Sequence, residues 1–323
     1  MLSCARNWLL LALALALTGT AFAQSYPAKT IKVISPWAAG GAADSIIRPV
    51  AQKLSDLWGQ PVVVENQPGA SGMIGTAAVA KSVPDGYTLL LSSLGPIAIS
   101  PALQPRIAYD SLKDFEPVTQ LVSAPQALVI RQGLPVQNMR ELIAHAKANP
   151  TKLSYGSNGA GSTTHLGVEM LAQMAGLQLL HVPYKGGSQV ATDLLGGQID
   201  LAILNIAAVL PMMDSPRVRV LAVSTARRSA ILPKLPTVAE SLPGYDLNSW
   251  WGLSAPAGTP REIVQRLHAE IAKIMQSREV DQRMKDAGLE VEASSPEQFS
   301  AQIRKDLIAW AAIVKKGGIK AGD

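Results

Sequence analysis

The chain has 323 residues, 48% of them hydrophobic and 16% charged, with a net charge of +5 and a single cysteine, Cys4. That composition excludes a disordered or low-complexity protein. Its basic residues are scattered, with only short pairs such as Arg227-Arg228 and Lys315-Lys316, which argues against nucleic acid as a partner.

The first residues set the compartment. Residues 1–7 carry one positive charge, Arg6, residues 8–17 form a leucine/alanine run, and Ala21-Phe22-Ala23 is a small-x-small site. This order predicts a signal peptide over residues 1–23, cleaved before Gln24, and so a periplasmic protein. The apolar run falls short of the roughly 20 residues that a membrane span needs. Cleavage removes Cys4 and Arg6, so the net charge becomes +4 (+5 less one). The mature chain then has no disulfide, thiol nucleophile or thiolate metal site. About 300 residues without disulfides must rely on their core, and that length implies two lobes or domains.

The mature chain alternates short β-branched runs with helical patterns. Residues 29–36 read as a buried strand. Residues 44–59 read as a helix, with Ile46, Ile47, Val50, Leu54 and Leu57 at helical spacing and Gly59 as its stop. Pro49 lies deep for a helix starting at Asp44, which predicts a start one or more residues later. Residues 61–66 form a second strand, 72–83 a short helix, and 87–93 a third strand after a Pro84-Asp85-Gly86 turn. Strand–helix–strand–helix–strand implies a parallel sheet with right-handed crossovers. The same grammar returns with strands at 126–131, 152–159, 177–184, 200–206 and 217–225 and helices at 139–150, 164–176 and 189–197. A proline-rich passage (Pro233, Pro236, Pro243), the segment "SWWGLSAP" at 249–256 and amphipathic helices complete the chain. Crossings between the two units are expected near 126–131 and 249–256.

Loops between strands and helices are where ligands of such sheets bind. The loop "SPWAAGGAAD" (35–44) offers two glycines and the start of a helix, a place that suits a carboxylate or phosphate. It also reads as an ordinary turn with Asp44 as cap. The loop "YGSNGAGSTTHLG" (155–167) supplies Ser157, Asn158, Ser162, Thr163, Thr164 and His165. It nearly matches G-x-G-x-x-G, but Thr164 replaces the third glycine, which makes a nucleotide site a weak reading. Lys185 and Asn205 are further polar candidates, though a lone lysine is more often a solvated surface group. There is no H-E-x-x-H, P-loop, G-x-S-x-G or EF-hand run, and no cofactor or metal is expected. A hydrolase using Ser162 and His165 lacks a third group to orient the imidazole, so no catalytic residue is assigned.

Taken together, several stretches resemble the Bug-type solute-binding proteins, the extracytoplasmic receptors of tripartite tricarboxylate transporters. They are "ISPWAAGGAADSIIRPVAQKL", "GQPVVVENQPGASGMIGTAAVAKSVPDGYTLLL", "YDSLKDFEPVTQLV", "HVPYKGGSQVATDLLGGQID" and "LPTVAESLPGYDLNSWWGLSAPAGTP", in the family's order. The resemblance implies an α/β, two-lobed type II periplasmic binding protein fold. Each lobe would be a mainly parallel sheet flanked by helices, with a ligand cleft between them. Lobe 1 is expected over 24–125 and 250–323, and lobe 2 over 126–249. It implies a non-enzymatic monomer that captures a small organic carboxylate and docks on integral-membrane transporter subunits; a sensory receptor is the alternative. Carried onto this chain, the ligand contacts are Trp37, Ala38, Ala39, Gly40, Gly41, Ala42, Ala43, Asp44, Ser93, Leu94, Ser157, Asn158, Ser162, Thr163, Thr164, His165, Lys185 and Asn205. The chain departs from the family pattern at Ala42, Ala43 and Leu94, which remove polar groups, and at Leu204, which removes a negative charge. These departures predict a ligand with one well-held carboxylate and a less polar remainder, and argue against an α-amino acid.

Overall fold

The computed structural model describes residues 26–40, 42–104, 106–159, 161–184 and 186–319. The expected signal peptide, Gly41 and Lys185 lie outside the described residues.

The first unit is built as its hydrophobic runs dictate. Strand β1 (Ile31–Ser35) buries Ile31, Val33 and Ile34 and lies parallel between β2 (Val62–Asn66) and β3 (Thr88–Ser93). Helix α1 (Ala42–Trp58) joins β1 to β2 and packs Ile46, Ile47, Val50 and Leu54 onto the sheet. It starts two residues before Asp44, not after it, and keeps Pro49 inside. Pro49 is only partly buried, a position where losing one helical hydrogen bond costs least. Helix α2 (Met73–Ala80) returns to β3 and sits close to the chain after β1. A Cβ on its Gly75 would lie 2.8 Å from the Gln67 carbonyl oxygen and 3.1 Å from Pro36, so only glycine permits this approach. Beyond β3 the chain forms a π-helical turn at Gly95–Ile99 and a short helix, α3 (Ser100–Leu103).

Strand β4 (Phe115–Arg131) is 17 residues long and changes partners along its length. Residues 115–125 pair with β9 (Asn248–Pro256), whereas residues 126–131 pair with β7 (Leu201–Asn205) and β8 (Val218–Val223). After α4 (Met139–Ala148), β5 (Ser154–Ser157) lies parallel to both β7 and β6 (Leu180–Pro183). Helices α5 (Thr163–Ala175) and α6 (Gly187–Leu195) make the β5–β6 and β6–β7 connections, and α7 (Ile206–Val209) follows β7. The chain ends in α8 (Arg261–Met275), α9 (Arg278–Asp286), the short β10 (Glu290–Val291) against β4, and α10 (Pro296–Gly317).

The expectation of mainly parallel sheets therefore holds only within β2-β1-β3 and β6-β5-β7. Strands β4 and β9, which run between the two units, pair antiparallel with everything they touch. The pairing order is β2-β1-β3-β9-β4-β7-β5-β6, with β8 and β10 added on β4. Each unit buries its own apolar cluster. Ile46, Leu89, Leu253 and Ile271 sit in the first, and Val190, Leu194, Ala202 and Leu204 in the second. A larger cluster around Leu128, Tyr155, Trp250 and Phe299 spans both. Among the described residues no helix is long and apolar enough to cross a membrane.

Candidate functional site

A cavity of about 550 Å³ opens where β3, β9 and the start of α5 converge. That volume falls in the range of small-molecule sites. Trp37, Ser93 and Leu94 line it from the first unit, Asn158, Ser162, Thr163 and Asn205 from the second, and Trp250 and Trp251 from the strand between. No charged side chain lines it among the described residues.

Ser162 is the N-cap of α5, its hydroxyl accepting from the His165 amide at 3.2 Å. The helix therefore aims its first-turn amides and the positive end of its dipole at the cavity. Gly161, with φ near 75°, turns the chain into that cap. Asn205 is oriented by Gln126, whose side-chain amide donates to the Asn205 Oδ1 at 3.0 Å, leaving the Asn205 NH₂ as the group to meet a guest. Ser71, on a left-handed turn with φ 53°, adds a hydroxyl from the far rim. The π-helical turn and α3 contribute the apolar wall, Ile99 and Leu103. Four lining residues carry buried polar atoms without a hydrogen-bond partner: the Trp37 and Trp251 indole nitrogens, the Ser93 hydroxyl and the Asn158 Oδ1. Each such atom costs about 1–3 kcal/mol when left unpaired. Three of them are donors, and each is packed within the wall rather than exposed on its surface.

The sequence-predicted residues divide on this geometry. Trp37, Ser93, Leu94, Asn158, Ser162, Thr163 and Asn205 come together on the cavity. Ala38, Ala39, Gly40 and Ala42 are exposed and do not line it, while Ala43, in the first turn of α1, is buried in the first core. Asp44 is occupied in ordering the first loop. Its carboxylate accepts from the Gly40 amide at 2.9 Å, from Asn66 at 2.9 Å and from Arg48 at 3.0 Å. Burial works to raise its pKa, but the bonds from Asn66, Gly40 and Arg48 outweigh it and hold the carboxyl below the usual range. Asn66 also donates to the Trp37 carbonyl at 3.0 Å, so the same network seats the tryptophan. Ser157, Thr164 and His165 are buried behind the second loop rather than on the cavity wall. Leu204 is 1% exposed and packs in the second core with Leu194 and Val209, so its identity says nothing about a guest and the argument against an α-amino acid falls. Of the four departures from the family pattern, only Leu94 lies on the cavity.

Sequence reasoning missed Ser71, the segment from Gly95 to Gln104, Ser249, Trp250 and Trp251. The adjacent tryptophans were a usable signal, since two large aromatics on a strand present one ring to each face.

A second cavity, of about 720 Å³, lies at the same β4–β9 crossing and is reached by Asn248 and Trp250. It is larger but mixed in sign, and most of its cationic side chains are paired with carboxylates. Lys305 pairs with Asp246 at 2.6 Å, Arg228 with Glu240 at 2.9 Å and Lys285 with Asp281 at 2.7 Å. The smaller cavity, uncharged and fronted by the start of α5, is the better candidate.

The family model for the tripartite tricarboxylate transporter family receptor matches residues 46–319. Protein BugT of Bordetella pertussis is 38% identical over 300 residues, covering 92% of each chain. The structure of Rhodopseudomonas palustris Rpa4515 with adipate superposes with a TM-score of 0.76 at 34% identity, over 91% of this chain and 99% of that one. MatC from Rhodopseudomonas palustris with bound malate gives 0.72 at 29% identity, over 90% and 100%. The two-unit α/β architecture is thus that of periplasmic binding proteins, and the chain belongs to the tripartite tricarboxylate transporter receptor family.

Proposed function

We propose that this chain is a periplasmic receptor that holds a small organic acid by one carboxylate, with a less polar remainder, and delivers it to membrane-embedded transporter subunits. The uncharged, tryptophan-lined cavity, with the capped first turn of α5 and the Asn205 amide on its wall, carries this reading. The carboxylate sits against the first turn of α5, and the remainder faces Trp37, Leu94, Ile99 and Trp251. Charge-assisted hydrogen bonds contribute about 1.5–3 kcal/mol each, so a few suffice without a buried ion pair. The change of partners along β4 after Pro125 supports lobes at 24–125 with 250–323 and at 126–249, closing over the guest. Closure needs only that the closed form bind better than the open one.

Isothermal calorimetry against citrate, malate, aspartate, adipate, hexanoate and phenylacetate tests the ligand class. The monocarboxylates with apolar remainders should bind most tightly. Tightest binding of citrate or aspartate would reject the class. Retention of the detergent-solubilised transporter subunits on the immobilised chain, stronger with ligand than without, tests the delivery step.

A further inference from the structure

Behind the second loop lies a cluster that ligand contact leaves unexplained. The parallel register of β5 and β6 sets Tyr155 beside His181, and Ser157 lies two residues on, on the same face. His165 reaches this face from α5. The three rings are nearly parallel, with centroids 4.1 Å apart for His165–His181, 4.9 Å for Tyr155–His181 and 6.2 Å for Tyr155–His165.

Both imidazoles are bonded to the loop. The Gly161 amide donates to His165 Nδ1 at 3.0 Å, so that nitrogen carries a lone pair and no proton. Ser157 Oγ accepts from the Gly159 amide at 3.1 Å and lies 2.7 Å from His181 Nε2. Ser157 is fully buried, so its hydroxyl proton needs an acceptor, and a neutral His181 Nε2 supplies it. An imidazolium in either place has no lone pair to offer. One would break the bond to Gly161, and the other would orphan the Ser157 proton.

We propose that His165 and His181 are positioning residues, whose neutral rings hold Gly159 and Gly161 so that the loop presents Asn158, Ser162 and Thr163 to the ligand, and that protonation of either ring weakens binding. This rests on the carboxylate reading of the cavity. Among the described residues, the titratable or charged groups facing the pair are Tyr155 from β5 and Glu169 from α5, the Tyr155 hydroxyl donating to Glu169 at 2.6 Å. Burial, and then His165, push the His181 pKa down to about 4 against the opposing pull of Glu169. The ring's ordinary value is 6.5, so the preference for the neutral form is complete above that pH and is lost as pH falls toward 4.

The test compares His181→Gln and His165→Asn, which keep an acceptor at the same place but do not titrate, with His181→Leu and His165→Leu. In the ligand-free full chain at about pH 7, the Gly159 and Gly161 amide resonances should stay near wild-type positions in the first pair and shift in the second. With phenylacetate and adipate as probes, the leucine variants should lose about tenfold or more in affinity, and the amide variants about twofold or less. Between about pH 7 and about pH 4, wild type should lose roughly twofold more affinity than the His165→Asn/His181→Gln double variant, because half of the His181 rings are then protonated. The double variant corrects for titration of the probe itself. Unshifted glycine amides in the leucine variants, or equal pH profiles, would overturn the proposal. Failure of both probes to bind would count against the carboxylate reading, and the glycine resonances would still decide this one.

Discussion

Trp250 shows how one residue joins the site to the core. Its indole nitrogen donates to the Asp306 carboxylate at 2.7 Å, and Gln302 donates to the same oxygen at 3.0 Å. Burial raises the Asp306 pKa from 3.8 to about 6, against the lowering pull of Gln302, Trp250 and Lys305. A raised carboxyl favours the fold when protonated, so its stabilising contribution is complete below about pH 4 and disappears as pH climbs through 6. Asp306→Asn accepts the same two bonds without titrating. The variant should therefore gain stability relative to wild type between pH 4 and pH 7, by on the order of 3 kcal/mol, in urea unfolding at each pH. A constant difference across that range would contradict this account of the carboxyl. At this scale the sequence was informative where a loop residue meets the cavity directly, as Ser162, Asn158 and Asn205 do. It misled where a neighbour claims the side chain. Asp44 and Thr164 are typical ligand-binding types, yet Gly40 and Asn158 amides already occupy them. Sequence spacing carries no record of such partners.

Strand β9 and helix α10 depend on each other in a way no single element reveals. A Cβ on Gly252 would lie 2.3 Å from the Phe299 ring and 2.8 Å from the Thr119 carbonyl oxygen. Phe299 in turn stands edge-on to Trp250, with centroids 5.1 Å apart at 90°. Gly252→Ala must push the ring off its seat, an overpacking that costs about 1–3 kcal/mol. Thermal unfolding should drop by several degrees, and near-ultraviolet dichroism should report a disturbed Trp250; an unchanged melting point would refute the contact. The helices and the parallel strands were readable because their apolar periods are strong. The first part of β4 was not, since Pro117 and Pro125 interrupt "FEPVTQLVSAP". The strand tolerates Pro117 by shifting register between Pro117 and Thr119. The cavity wall from Gly95 to Leu103 was invisible for a related reason: a π-helical turn followed by one short helix has neither period.

The whole molecule is two apolar clusters bridged by a larger one around Leu128 and Trp250, with two cavities that share Trp250 of β9. If the lobes close over the smaller cavity, binding and stability are linked. Ligand at 100 times its dissociation constant should add about 2.7 kcal/mol, raise the melting point by several degrees and reduce the radius of gyration in solution scattering. A melting shift without compaction would mean binding to a preformed, rigid site. The most direct measurement is a crystal structure of the chain with its tightest-binding carboxylate. The account predicts carboxylate oxygens about 3 Å from the Ser162–Thr163 turn, with the remainder against Trp37, Leu94 and Trp251. A guest lodged instead among Arg227, Asp246 and Lys305, or one with its apolar end at the start of α5, would contradict it.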